Sequence, residues 1–261
     1  MEITSTKYHD EKSKTYDKSY NEPFWQFYND ITWSYIEKRL PKDVDNSLVL
    51  DAGGGTGLWS IKIAKMGYNV ILSDVSSGML KIAEEKIKDQ NLNGKIKIVR
   101  CDITNMNEFK DNTFDLTIAE GDPVSYCSNP DQAISELARV TKKGCYITVS
   151  VDNKFVWVKR SIEKGDYEEA ERIMKTGIAK MPTEDGNYYP AFTFTIEELS
   201  EIFEKNNIDI IEKIGKTVFT SSQDANDEEK YRKHLEIELK YSNQDSFAGF
   251  GGHIAIIGKK N

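Results

Sequence analysis

The residues best suited to chemistry are the seven from Asp51 to Gly57, Asp-Ala-Gly-Gly-Gly-Thr-Gly, which set one acid ahead of a cluster of glycines. Glycines at 53, 55 and 57 let a backbone turn tightly and approach a ligand that a Cβ would exclude. Their spacing narrows the ligand. A nicotinamide dinucleotide site wants Gly-x-Gly-x-x-Gly, whereas here the third glycine arrives one residue early and position 58 is Leu58. A phosphate-cradling loop needs Gly-Lys-Ser/Thr, and the first lysine after the glycines is Lys62. A glycine turn without a ligand accounts poorly for so dense a run.

Two further acids sit where strand-like runs end. A carboxylate at Asp74 can accept hydrogen bonds from both hydroxyls of a ribose, and one at Asp102 from an exocyclic amine. Taken singly, Asp74 could as well cap a helix and Asp102 serve a turn. Three acids at successive strand ends, behind one glycine loop, describe a nucleoside site. Beyond them lies Ala119-Glu120-Gly121-Asp122-Pro123. Glu120, Asp122, Tyr126 and His253 are the candidates for proton transfer, a role required only if the reacting group starts protonated. The catalytic assignment stays open, and His253 reads first as a histidine bonded to a loop.

These residues need a scaffold that alternates strand and helix. Ser47–Asp51, Tyr68–Ser73, Lys95–Arg100 and Phe114–Ala119 read as strands, with helices over Leu58–Met66, Ser76–Gln90 and Asp131–Val140. Gly144 opens a strand over Cys145–Val151. The rhythm predicts an α/β fold: a mostly parallel sheet with helices on both faces and ligands beyond the carboxyl ends of its strands. Residues 1–46 read as a polar arm and one amphipathic helix, with Phe24, Phe27, Tyr28, Ile31, Tyr35 and Ile36 at helical spacing behind Pro23. Residues 47–261 form the main domain. It carries an insertion at about 152–194, helical around Tyr167–Ala179 and then a loop over Met181–Phe194 that adds no strand. A helix over Thr195–Lys205, a strand over Ile208–Ile214, a polar loop, a helix around Glu228–Tyr241 and a last strand from His253 complete the chain. The N-terminal helix and the insertion read as lids, with Tyr16, Tyr20, Phe24 and Trp25 over the ligand and Tyr188 and Tyr189 candidates for a second pocket.

Bulk properties bound the function. A chain of 261 residues with 38% hydrophobic and 30% charged residues is an ordinary water-soluble globule, with no apolar run long enough for a bilayer. Cys101, Cys127 and Cys145 fit neither a disulfide framework nor a metal site, so no metal and a reducing, cytoplasmic setting are expected. A net charge of −8 speaks against a nucleic-acid partner, because a protein that grips phosphates usually shows a basic face.

The order of these motifs resembles the class I S-adenosylmethionine-dependent methyltransferases, strongly over residues 47–150, and in particular the small-molecule group with a generic methyltransferase domain. The resemblance implies a Rossmann-like, seven-stranded, mostly parallel sheet whose last strand is antiparallel, with N-terminal helix and insertion as lid. It implies S-adenosylmethionine as cofactor, leaving as S-adenosylhomocysteine. By the same resemblance Asp51 orients the loop and the methionine amino group, with Ala52, Gly53 and Gly55 close to the methionine portion. Asp74 holds the ribose, Val75 and Met79 touch the adenine, and Asp102 and the Ile103 N–H face its edge. Glu120 and Gly121 then lie beside the sulfonium, with Tyr16, Tyr20 and Trp25 above. Cys145 departs from the family, which usually has a second glycine there. Glu120–Pro123 lacks the Asn/Asp-Pro-Pro-Tyr/Phe pattern that holds a planar amide, and no Pro-Cys nucleophile suits cytosine C5. The expected activity is methyl transfer to a small-molecule acceptor by a monomer or homodimer. A non-catalytic cofactor-binding module, or a methyltransferase acting on RNA or protein, is the alternative. Aminopropyl transfer ranks low because Thr56 replaces the loop acid it favours.

Overall fold

The computed structural model describes residues 4–261; residues 1–3 of the N-terminal arm lie outside the described residues. Two helices open the chain, α1 (Ser5–Tyr20) and α2 (Pro23–Glu37). α2 is the expected amphipathic helix: Pro23 sits in its first turn, and Phe27, Ile31, Tyr35 and Ile36 are buried against the sheet. α1 corrects the reading of that stretch as an arm. Its sequence has no apolar stripe to announce a helix, and such a helix depends on tertiary contacts.

The alternating region follows as β1 (Leu48–Ala52), α3 (Leu58–Lys65), β2 (Asn69–Asp74), α4 (Ser77–Asp89), β3 (Ile96–Arg100) and β4 (Phe114–Ala119). After it come α5 (Pro123–Tyr126), α6 (Pro130–Val140) and β5 (Thr141–Asn153). Gly144, expected to open β5, lies inside it with φ +75, next to a register shift against β4 between Phe114 and Leu116. The strands lie in the order β3-β2-β1-β4-β5 and run parallel. Chain order reverses between β1 and β4, so the crevice for a ligand opens at the carboxyl ends of β1, β2 and β4.

The insertion supplies α7 (Lys154–Glu163) and α8 (Tyr167–Thr176), then β6 (Ile178–Pro182) and β7 (Tyr188–Phe194). This corrects the expectation that it adds no strand. β6 and β7 form an antiparallel hairpin from Ile178↔Phe192 to Pro182↔Tyr188, and β7 joins the end of β5 at Asp152↔Thr193 and Asn153↔Phe194. Pro182 and Pro190 argue against a central strand, yet an edge hairpin tolerates proline because its ladder is open on one side. The chain continues through α9 (Ile196–Lys205), β8 (Ile208–Lys216), α10 (Ser222–Ala225), α11 (Glu228–Tyr241), α12 (Asp245–Ala248) and β9 (His253–Lys260). β9 runs antiparallel between β5 and β8, so the expected strands are present and the hairpin extends the sheet to nine.

Each face of the sheet buries its own core. Leu50, Val149, Ile254 and Ile256 pack on one side with Phe203 of α9; Val49, Leu116, Ala255 and Ile257 pack on the other with Phe27 and Ile31 of α2. Successive residues of a strand point to opposite faces, so apolar runs rather than alternation mark these strands. Among the described residues no helix is long and apolar enough to cross a membrane.

Candidate active site

The glycine loop leaves β1 at the reversal point. Gly53 has φ +69, and a Cβ there would stand 2.4 Å from Pro123 Cβ, so the loop packs directly on the turn after β4. Gly55 has φ +54, and a Cβ there would meet nothing within 4 Å, because its backbone faces the cavity. Asp51 lies behind the loop, fully buried. Its Oδ2 accepts hydrogen bonds from the Ser60 N–H at 3.0 Å and the Ser60 hydroxyl at 2.6 Å, while Oδ1 has no partner. Burial outweighs those bonds and pushes its pKa up to about 6. At the end of β2, Asp74 accepts from the Gly55 N–H at 2.9 Å and the Ser76 N–H at 2.8 Å. Burial raises the Asp74 pKa, and the two N–H bonds oppose that rise. Asp102, exposed after β3, accepts from the N–H and hydroxyl of Thr104, both at 2.8 Å.

A cavity of about 370 Å³ joins these elements. Gly53, Gly55, Asp74, Val75, Met79, Asp102 and Ile103 line one part of it, and Gly121, Pro123 and Tyr126 another. The cavity can accept hydrogen bonds at two carboxylates and cover an apolar ring with Val75, Met79 and Ile103. His9 and Tyr16 of α1 close it, with Pro190 of β7. α1 is held there by polar side chains along its length. Asp10 accepts from the Ser76 hydroxyl at 2.6 Å and the Gly78 N–H at 2.8 Å, at the N-terminus of α4. Asp17 accepts from the Thr56 hydroxyl at 2.6 Å and from Lys86 at 3.0 Å. Lys12 pairs with Glu184 of the hairpin turn, and the Tyr8 and Tyr189 rings lie 4.8 Å apart.

Behind the post-β4 turn is a buried polar cluster. Glu120 Oε2 accepts from the Tyr35 hydroxyl at 2.6 Å and from Lys216 at 2.8 Å; neither Glu120 nor Lys216 exposes any side chain. Lys216 also reaches the Tyr28 hydroxyl at 3.1 Å. Asp122, with a left-handed φ of 67, sets Oδ2 2.8 Å from His253 Nδ1. Burial works against both charges, yet the pair holds the Asp122 carboxyl below its ordinary pKa and the His253 imidazole above its own. Asp152, at the end of β5, accepts from the Trp157 indole N–H at 3.1 Å, and burial raises its pKa. Tyr126 faces Asp152 and Asp122; burial and those charges drive its pKa well above the ordinary value.

Of the residues singled out in the sequence, Tyr16, Gly53, Gly55, Asp74, Val75, Met79, Asp102, Ile103, Gly121 and Tyr126 line the cavity together. Asp51 and Ala52 sit behind the loop, and Glu120 is turned into the polar cluster. Tyr20 and Trp25 form a further aromatic layer: the Tyr20 ring is 5.0 Å from Tyr16 and 5.6 Å from Trp25, and Trp25 lies 6.2 Å from His253. His9, Asp152, Trp157 and Lys216 were not singled out. The polar pair Asp152-Asn153 closing an otherwise apolar strand was the one available signal; Lys216 carries none, because only pairing across the fold makes it a buried cation.

Residues 49–144 match the family model described as a methyltransferase domain. The tRNA 5-carboxymethoxyuridine methyltransferase of Escherichia coli K12 is 22% identical over 88% of this chain and 87% of its own length. The demethylmenaquinone methyltransferase of Clavibacter sepedonicus is 30% identical over 54% of each chain. Among solved structures, a SAM-dependent methyltransferase of Methanosarcina mazei superposes with a TM-score of 0.64 at 20% identity, covering 87% of this chain and 96% of that one.

Proposed function

We propose that the chain, a class I S-adenosylmethionine-dependent methyltransferase by its domain over residues 49–144, takes a small-molecule acceptor beneath α1. The observation that supports this reading is the closure of the cavity by α1, which is anchored on α4, on the loop and on the hairpin. A net charge of −8 points the same way.

The residues fit the cofactor: the Gly55 backbone faces open cavity, and buried Asp51 keeps one unpartnered oxygen for a cationic amino group. In this reading Gly53 and Gly55 hold the methionine portion, Asp74 the ribose, and Val75 and Met79 the adenine, whose edge meets Asp102 and the Ile103 N–H. When bound, S-adenosylmethionine supplies an electrophilic methyl group on a sulfonium. The protein aligns the acceptor in line with it and excludes water, effects that together lower a barrier by about 7–11 kcal/mol in favourable cases. Tyr16 and His9 close the water side, and Gly121 and Pro123 border the acceptor side.

A labelled-methyl experiment tests the acceptor class. Purified protein is incubated with radiolabelled methyl donor and, separately, a metabolite extract, total RNA and a protein extract. Label is expected in the metabolite fraction. Label in RNA favours the second reading, which rests on the similarity to a tRNA methyltransferase over most of both chains, and overturns the first.

A further inference from the structure

We propose that the acceptor is a small amine whose nitrogen is held between Asp122 and Asp152, beside the rings of Tyr126 and Tyr189. This deepens the small-molecule reading and rests on it. Lys216 is paired with Glu120, which leaves Asp122 and Asp152 to share one imidazole. His253 Nδ1 is 2.8 Å from Asp122 and 3.9 Å from Asp152. The charged His253 balances Asp122, so an ionised Asp152 carries a negative charge that no side chain of the cluster balances, and a cation beside it would hold it ionised.

Each carboxylate also keeps one oxygen free. Asp122 is 4% exposed and Asp152 3%, yet Asp122 Oδ1 and Asp152 Oδ2 have no hydrogen-bond partner among the described residues. Buried acceptors are nearly always satisfied, so a pair left open beside a ligand cavity calls for a donor from outside the chain. Asp122 stands between Gly121 and Pro123, both on the cavity wall, and Tyr126, which faces Asp152, is on that wall as well. The site therefore adjoins the post-β4 turn, where the methyl acceptor belongs.

The surrounding rings select the same chemistry. Tyr126 and Tyr189 lie 5.7 Å apart at 79°, and aromatic faces attract cations and leave anions unsatisfied. An amine brings two or three N–H donors and a positive charge; it gives one N–H proton to Asp152 before the freed lone pair takes the methyl group, the S–C bond breaking as the N–C bond forms and its electron pair staying on the sulfur of S-adenosylhomocysteine. An alcohol brings one donor and no charge, and a carboxylate or phosphate is repelled.

The test is calorimetric titration of the protein saturated with S-adenosylhomocysteine. The probes are two matched series: 2-phenylethylamine, 2-phenylethanol and phenylacetate, then propylamine, propanol and propionate. The expected result is an amine bound at least about tenfold more tightly than its matched alcohol, with no detectable binding of the acid. Asp152→Asn should weaken the amine about tenfold and narrow the gap to the alcohol, leaving S-adenosylhomocysteine affinity within about twofold. An alcohol or acid bound as well as its amine, or full amine preference in Asp152→Asn, overturns the proposal and leaves the small-molecule reading standing. The wild-type comparison decides even if the variant does not fold. Silence from every probe overturns the proposal too, and the labelled-methyl experiment then decides whether the small-molecule reading falls with it.

Discussion

Replacing Asp10 by alanine should loosen α1 without unfolding the rest. Asp10 contributes two hydrogen bonds, from the Ser76 hydroxyl at 2.6 Å and the Gly78 N–H at 2.8 Å, and it places a negative charge at the positive end of α4. These bonds also hold the Asp10 carboxyl below its ordinary pKa despite the opposing effect of burial. Hydrogen bonds to a charged group are worth about 1.5–3 kcal/mol each when buried. Asp10 lies at the surface, where water replaces much of that, so about 1–2 kcal/mol for the pair is the reasonable expectation. Ser76 still caps α4 through the Met79 N–H at 3.1 Å, so the loss falls on the lid alone. Since 1.4 kcal/mol is a factor of ten, S-adenosylhomocysteine should leave Asp10→Ala about fivefold to thirtyfold faster than wild type. Stopped-flow displacement, followed by tryptophan fluorescence, measures this. The melting temperature without cofactor should move little, because a surface helix held by polar contacts opens as a local unit. An unchanged dissociation rate would refute the assignment of α1 as a lid.

Three further outcomes are expected. Asp74→Ala should weaken S-adenosylhomocysteine binding by about tenfold to a hundredfold in calorimetric titration, through loss of the ribose acceptor and of the bond that orders Gly55; an unaltered affinity would remove the ribose role. Lys216→Met leaves Glu120 buried without its cation and should cost about 3–5 kcal/mol in urea unfolding, most of it recovered when Glu120→Gln is added. No recovery in the double variant would show that the cost comes from packing. Asp51 has a folded pKa of about 6 against an ordinary value of 3.8. The native protein therefore keeps a proton that the unfolded chain has released between pH 4 and 6, and stability falls by about 2–3 kcal/mol as pH rises through that window. Asp51→Asn should remove this slope from urea midpoints measured at pH 4.5 and 7; a variant with the wild-type slope would place the titration elsewhere.

The pattern of residues along the chain determined the alternating α/β core and pointed to the glycine loop, Asp74 and Asp102, which line one cavity. The apolar runs of β1, β2 and β4 are local, and so is the demand for glycine where the backbone turns left-handed at Gly53 and Gly55. Asp74 and Asp102 were legible because a strand end fixes where the next side chain points, and the spacing of strand ends is written in the chain. What only the tertiary structure decided has a common physical cause: it depends on partners distant in sequence. α1 is too polar to declare itself a helix, and it forms where Ser76, Gly78, Thr56 and Lys86 meet Asp10 and Asp17. The β6–β7 hairpin hides behind its prolines until β5 offers it an edge. In the sequence Glu120, Asp122 and His253 are separate candidates. Folding decided that Lys216 neutralises Glu120 and that His253 is shared by Asp122 and Asp152, because ion pairing is set by burial and distance in three dimensions.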